Sequence, residues 1–260
     1  MKSTHLSPIK RLGPNLKGKV YAVSDVHGHI SLLEHLLDRA GFDEKYDWLI
    51  ICGDLVDRGP ESHRFMEFIE RPWVHALIGN HEDFCRQSGL TGITPLHLKS
   101  GGEWFTKIAY SERSRIIDAI NEMPYAIDLT HSDGRRIGFV HAEVVGDDWD
   151  DFLIMLENQE AHLSTPLLEK VLFSRVRIYV NQTQPIGGVD QLFVGHTSLY
   201  DPVVLGNTHY IDTGTCYSDG VMTLVCIDDG EIFQCGSKGF TSYSRMEMST
   251  SPAIRDRSLV

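Results

Sequence analysis

Val20-Tyr21-Ala22-Val23-Ser24-Asp25-Val26-His27-Gly28-His29-Ile30-Ser31-Leu32-Leu33-Glu34 is the stretch from which the rest of this 260-residue chain is read. Four apolar residues make a buried strand, and Asp25 and His27 follow where it ends. Ser31 and Glu34 have the spacing of a capping box. Leu32, Leu33, Leu36 and Leu37 then repeat at helical spacing until Gly41 stops the turn. The order is strand, polar loop, helix. It recurs from Trp48 to Glu70, where Trp48–Cys52 precedes Gly53-Asp54-Leu55-Val56-Asp57-Arg58-Gly59. It recurs again from Val74 to about Ser88, where Val74–Ile78 precedes Gly79-Asn80-His81-Glu82. Three such units favour parallel crossovers, and in open α/β sheets ligands bind at the carboxyl ends of the strands.

Farther out the pattern changes. Leu90 to Asn121 is helical and reads as an insertion covering the site, whereas Tyr125–Thr130 and Arg135–Val140 flank Ser132-Asp133-Gly134 as a hairpin. Further strands are expected at Leu192–Val194, His209–Ile211, Val221–Ile227 and Glu231–Gln234. The fold class is therefore α/β, with two packed sheets flanked by helices. Residues 1–18 and 241–260 lack periodicity and read as loosely held ends around one domain spanning 19–240.

A formal net charge of -12 disfavours nucleic acid and anionic membrane as partners, since both need a basic field. No apolar run approaches membrane-spanning length, and the basic N-terminal segment has no apolar stretch of a signal peptide. Cys52, Cys85, Cys216, Cys226 and Cys235 are odd in number and show no C-x-x-C spacing, which points to a reduced, cytoplasmic chain.

The chemistry lies at the strand ends. Asp25 and His27, two residues apart on an extended segment, face the same way and can bind one ion. Asp54 has two oxygens with which to bridge two cations, and Asn80 offers a carbonyl to the second. His141, after Phe139-Val140, and His196, after Phe193-Val194-Gly195, complete the second ion's shell. This set of nitrogen and oxygen donors suits two divalent ions, with manganese, iron or zinc as the candidates. Two such ions carry +4 and Asp25 with Asp54 supplies -2. A phosphate monoester of roughly -1.5 to -2 offsets the surplus. Ions about 3.5–4 Å apart also generate a hydroxide placed to attack phosphorus. Arg58 and Arg175 can hold phosphate oxygens, with Arg177 close enough in sequence to compete for the second role. His81, beside Asn80, can bind phosphate and protonate the leaving alkoxide. Asp57 can orient His81 and raise its pKa.

These runs resemble the signature motifs of the phosphoprotein phosphatase family of metallophosphoesterases, GDxHG, GDxVDRG and GNHE. Within it they are most similar to the bacterial and phage lambda-type serine/threonine protein phosphatases. Gly101-Gly102-Glu103-Trp104-Phe105, Phe173-Ser174-Arg175, Val194-Gly195-His196-Thr197 and Tyr210-Ile211-Asp212-Thr213-Gly214 fall in the family's order, and the resemblance spans about Lys19 to Gln234. It implies the calcineurin-like metallophosphoesterase fold. The implied activity is hydrolysis of phosphoserine and phosphothreonine, and of phosphotyrosine as a further substrate, in a phosphoprotein or phosphopeptide. Ser24 replaces the motif's first glycine and is discounted, because it only precedes a ligand.

Rival readings remain open. A symmetrical dinucleoside-polyphosphate hydrolase would use the same metal core; the Gly-Gly-x-Trp-Phe segment and the short chain favour the protein phosphatase. A binding module that keeps only the fold has no need of Asp57, Arg58, His81 and Arg175 together. His29, His35, His63, His75, His97, His131, His162 and His209 match no motif and read as surface or satisfied core histidines, His209 within a strand. Cys52 reads as a packed strand residue. Asp147, Asp148, Asp150 and Asp151 read as a solvated helix start, and Asp212 reads equally as a partner of the metal ligands or as a turn cap and is left out of the site.

Overall fold

Side-chain alternation along the first motif strand sets the architecture. Val20 and Ala22 face one way and Tyr21 and Val23 the other, and all four are buried, so both faces of the strand are covered. The computed structural model describes residues 8–158 and 166–255. In chain order these form β1 (Ile9–Leu12), β2 (Val20–Val23), α1 (Ile30–Arg39), β3 (Trp48–Ile51), α2 (Phe65–Ile69), β4 (Val74–Ala76), α3 (Asn80–Thr91), α4 (Pro95–Lys99), α5 (Glu103–Lys107) and α6 (Tyr110–Asn121). The second half contributes β5 (Ala126–Thr130), β6 (Arg136–Val140), α7 (Trp149–Glu157), α8 (Pro166–Phe173), α9 (Val176–Tyr179), β7 (Gln191–Val194), β8 (Val203–Leu205), β9 (Thr208–Tyr210), β10 (Val221–Cys226), β11 (Glu231–Gly236) and β12 (Gly239–Ser244).

The strands make two six-stranded mixed sheets, ordered β1-β5-β6-β7-β9-β8 and β12-β11-β10-β2-β3-β4. β2, β3 and β4 are parallel neighbours, as the repeated strand-loop-helix order requires, while β5 and β6 form the expected antiparallel hairpin. Val20, Ala22, Ile50 and Cys52 of one sheet meet Ile127, Ile137, Phe139 and Phe193 of the other in one apolar layer. Tyr21, Val23, Leu49 and Ile51 face outward onto Leu33, Leu36, Phe65 and Phe68. This is a sandwich of two sheets with helices outside. No described helix is long and apolar enough to cross a membrane.

The ends depart from expectation. Ile9–Leu12 pairs in parallel with β5, and Gly239–Ser244 pairs antiparallel with β11. Bridges at Ser249 and Ile254, and the hydrogen bond from Arg255 Nε to the Leu199 carbonyl at 2.8 Å, fasten the chain further. Within the described residues, therefore, neither 8–18 nor 241–255 is loosely held. Short edge strands carrying Lys, Arg and Ser have no apolar alternation by which to be recognised. Residues 1–7 and 256–260, and His162, lie outside the described residues.

The start of α1 also differs. The helix begins at Ile30, ahead of the expected cap, and its N-terminus is served from another segment. Glu61 accepts the Ser31 N–H at 2.8 Å and the Ser31 hydroxyl at 2.5 Å. Glu34, freed from a capping box, pairs with Arg64 and Arg71. Asp148 does cap α7, accepting the N–H groups of Asp150 and Asp151.

Candidate active site

The candidate residues converge where the carboxyl ends of β2, β3, β6 and β7 meet, so both sheets supply the site. Gly195 N–H to the His141 carbonyl at 2.8 Å extends the β6–β7 pairing, and His196 N–H to Asp25 Oδ2 at 3.0 Å joins one sheet to the other. Asn80 was expected to close a strand, but it opens α3, because β4 ends at Ala76 and three residues intervene. Six described non-glycine residues have positive φ. Five of them are His27 (47°), Asp54 (54°), Asp57 (70°), Arg58 (65°) and His196 (65°). Left-handed backbone costs of order 1–3 kcal/mol per such residue and persists where surrounding contacts over-determine it. Here the strain turns each side chain out of its strand and into a common centre.

The centre is built to accept a cation. His27 Nδ1 lies 3.0 Å from the Val56 carbonyl, His141 Nδ1 2.7 Å from that of Cys52, and His196 Nε2 3.1 Å from that of Phe173. Burial is the main force pushing all three imidazoles below their ordinary pKa, so each is neutral with a single N–H, which its carbonyl claims. The other nitrogen of each ring is left as a lone pair facing inward. His141 Nε2 and His196 Nδ1 both lie 2.9 Å from Asn80 Oδ1, three acceptors with no hydrogen to share. Asp54 reaches both halves: Oδ1 lies 3.5 Å from His141 Nε2, and Oδ2 lies 3.8 Å from His27 Nε2 and from His81 Nε2. The result is two buried donor groups, His27-Asp54-His81 and Asp54-His141-His196, sharing one carboxylate. Burial, with Asp25 and Glu82 nearby, pushes the Asp54 carboxyl well above its usual range, a penalty that a cation would remove. Asp25 stands beside both groups, its Oδ2 accepting the Ser24 hydroxyl as well as the His196 N–H. The donor set fits a pair of divalent cations.

Arg58 lies across the first group. Its Nη1 donates to His27 Nε2 at 2.7 Å and its Nη2 to His81 Nε2 at 3.0 Å, so it must release His27 before that ring can coordinate. His81 Nδ1–H donates to Asp57 Oδ2 at 2.7 Å. Asp57 does raise the pKa of His81, as expected, but burial outweighs it and, with Arg58 adding to burial, the imidazole is pushed down to about 4. Burial also pushes Asp57 upward, but hydrogen bonds from His81 and His97 outweigh it and hold the carboxyl below its usual value. Arg175 is the residue just before α9, and its Nη2 donates to the His196 carbonyl at 3.4 Å, at the rim of the second group. Arg177 is turned elsewhere, its guanidinium bound to Asp147 Oδ1 at 2.8 Å and to the carbonyls of Gly146 and Gln184.

The family model for calcineurin-like phosphoesterases matches residues 18–200, which include every one of these residues. The chain belongs to that family. This phosphoesterase is 32% identical over 200 residues to serine/threonine-protein phosphatase 2 of Escherichia coli, covering 75% of this chain and 87% of that one. It is 30% identical over 212 residues to serine/threonine-protein phosphatase 1 of Salmonella typhimurium, covering 80% and 91%. A symmetrical bis(5'-nucleosyl)-tetraphosphatase of Azotobacter vinelandii matches less: 33% over 134 residues, 48% of this chain and 44% of that one. A serine/threonine phosphatase structure from Saccharomyces cerevisiae shares the fold with a TM-score of 0.60 at 12% identity, covering 95% of this chain and 87% of that one.

Several residues of the phosphoesterase site escaped sequence reasoning. Glu82 is fully buried and its carboxylate accepts four backbone N–H groups, those of Gly79, Asp54, Leu55 and Val56, at 2.8–3.2 Å. It thereby shapes the loop that presents Asp54; burial pushes its pKa up to about 7. The signal was the last letter of Gly79-Asn80-His81-Glu82. Ser24, discounted earlier, is buried and bonds to Asp25. Asp212 caps a turn, accepting Gly214 N–H at 2.8 Å, yet it is buried and its pKa is pushed up to about 7 by burial and by Asp25. Cys216 lies 3.4 Å from Arg58 Nη1, while Cys52 is the packed residue expected. His97, read as a satisfied core histidine, is satisfied by Asp57 itself, and Trp104 shares that carboxylate.

Proposed function

We propose that this phosphoesterase is a protein phosphatase that hydrolyses phosphoserine and phosphothreonine, with phosphotyrosine as a further substrate. The observation that carries it is the pair of buried donor groups sharing Asp54, with Arg58 and Arg175 on their rim. Asp25, His27, Asp54, Asn80, His141 and His196 would hold two divalent cations, manganese first among the candidates. When bound, these supply Lewis acidity and lower the pKa of a coordinated water. Arg58, released from His27, and Arg175 grip the non-bridging oxygens of the phosphate through permanently charged forks. His81, fixed by Asp57, faces the phosphate and carries the proton that the leaving alkoxide takes at Nε2. That role requires the Nε2–H form. The dianionic substrate favours it by drawing Arg58 away and adding negative charge nearby. Five free thiols among the described residues support a reduced compartment, the cytoplasm.

A protein substrate is supported by the bacterial serine/threonine phosphatases, whose lengths this chain matches at 87% and 91%, against 44% for the tetraphosphatase. Assay of phosphoserine, phosphothreonine and phosphotyrosine peptides beside diadenosine tetraphosphate, all with added Mn²⁺, tests the choice. A kcat/KM higher for the peptides supports it; faster cleavage of the dinucleotide overturns it.

A further inference from the structure

The Asp57 carboxylate is fully buried and held by three N–H groups from three different elements. His81 Nδ1 of α3 takes Oδ2 at 2.7 Å, while Trp104 Nε1 of α5 and His97 Nε2 of α4 converge on Oδ1 at 2.6 and 3.2 Å. His97 is itself fixed. Its ring lies between those of Phe84 and Phe105, and its Nδ1 is 3.0 Å from Ser88 Oγ. Ser88 Oγ also lies 2.8 Å from the Phe84 carbonyl, and its hydroxyl can donate to His97 Nδ1, the tautomer that keeps the ring's N–H on Nε2 for Asp57. The same segment also grips the neighbouring residue, since Gly101 accepts Arg58 N–H at 3.3 Å, and a Cβ on Gly101 would lie 2.5 Å from that nitrogen.

We propose that Trp104 and His97 are positioning residues for the reaction: they saturate Oδ1 of Asp57 and fix the carboxylate plane so that Oδ2 faces His81 alone. The inference rests on the reading of His81 as the group that protonates the leaving oxygen. A carboxylate turns about its Cβ–Cγ bond, and with one buried partner it has no fixed plane; two donors on the far oxygen remove that freedom. An Oδ1 without donors would also be a buried, unsatisfied charge, which favours a neutral acid that gives a hydrogen bond to His81 instead of taking one. The helical stretch after the motifs thus acts on His81 through Asp57, without touching substrate.

Trp104→Phe keeps the ring and removes the N–H. It should lower kcat on a phosphoserine peptide about 10-fold with KM and bound manganese unchanged, and lower kcat on p-nitrophenyl phosphate less than 3-fold, because that leaving group departs without a proton. His97→Leu should reproduce this selectivity and His97→Gln, which keeps an N–H donor, should restore most of the rate. These variants also serve if Trp104→Phe does not fold. In an Asp57→Asn background Trp104→Phe should add nothing further, since both act through one carboxylate. Equal losses on both substrates, or additive losses in the double variant, would overturn the proposal. His81→Asn assayed in parallel separates the two readings. If it shows leaving-group selectivity and the Trp104 and His97 variants do not, only the positioning role fails; if it shows none, the acid assignment fails and the positioning role with it.

Discussion

His81 shows how far a residue's surroundings override its neighbour in sequence. One carboxylate partner favours imidazolium, but near-complete burial and the Arg58 guanidinium favour the neutral ring, and together they win. The ring's single N–H then faces Asp57 Oδ2, 2.7 Å away. His81→Asn should keep its bound metal yet lose about 10²- to 10⁴-fold in kcat on a phosphoserine peptide, with a much smaller loss on p-nitrophenyl phosphate. Equal loss on both substrates, with metal content verified, would make His81 a phosphate binder only. Arg58→Ala and Arg175→Ala should each reduce kcat/KM about 10²-fold or more without reducing metal content, because neither guanidinium coordinates a cation. Arg177→Ala should cost less than about 3-fold, since its fork is committed to Asp147, Gly146 and Gln184. A larger effect at Arg177 than at Arg175 would reverse the assignment.

At the scale of elements, the loop after β3 is held less by its own residues than by the first turn of α3. Four N–H groups point at Glu82, two on each carboxylate oxygen, and three of the four come from the turn that presents Asp54. Glu82→Gln replaces one accepting oxygen with an NH₂ group aimed at N–H donors, leaving at least one buried pair unsatisfied. It should destabilise the fold by about 2–4 kcal/mol and also weaken metal binding, because Asp54 loses its fixed direction. Urea unfolding of the metal-free protein and manganese titration measure the two effects separately. Unchanged stability would show that the amide groups find other partners.

At the scale of the whole molecule, the two sheets bring the five loops that carry the proposed ligands to one point, so on this proposal cation binding and folding are linked. Saturating Mn²⁺ should raise Tm, since a ligand at 100 times its Kd adds about 2.7 kcal/mol to the folded state. His141→Asn and His196→Asn should shrink that increment; an unchanged Tm shift in both would remove them from the ligand set. Acid acts through the same sandwich. His209 of β9 is buried, stacked on Phe193 at 4.7 Å, and burial with Arg245 and Arg135 nearby lowers its pKa to about 3. Its folded pKa is below its unfolded value, so between those values the unfolded chain binds the extra proton. The stabilisation is complete above about pH 6.5 and is lost toward pH 3 at up to about 1.4 kcal/mol per pH unit. His75, lowered to about 4 by burial and Lys10, adds to the same slope. His209→Phe should flatten the dependence of unfolding free energy on pH between 4 and 6 by close to one proton; an unchanged slope would place the acid sensitivity elsewhere.

The sequence by itself determined the parts whose cause is local. Apolar alternation at Val20–Val23, the repeated order of strand, loop and helix, and the Ser132-Asp133-Gly134 turn each carry their own signal, and they specify parallel strands and a hairpin in an α/β chain. The spacing of Asp25, His27, Asp54 and Asn80 likewise announces a set of cation donors, because the residue types themselves carry that chemistry. What depends on distant segments was decided only in three dimensions. Ile9–Leu12 became a strand because β5 offered it an edge, and Ser31 received its cap from Glu61. That Arg177 is bound to Asp147 while Arg175 reaches the His196 carbonyl was set by where the loop at Asp147 lies. Whether an imidazole is neutral, and which nitrogen faces inward, is set by burial and by a carbonyl such as that of Cys52, 89 positions away from His141 in the chain. Electrostatic free energies add over everything within several ångströms, whatever its distance in sequence, and so Asp57 joins His81 to His97 and Trp104 only once the fold has closed.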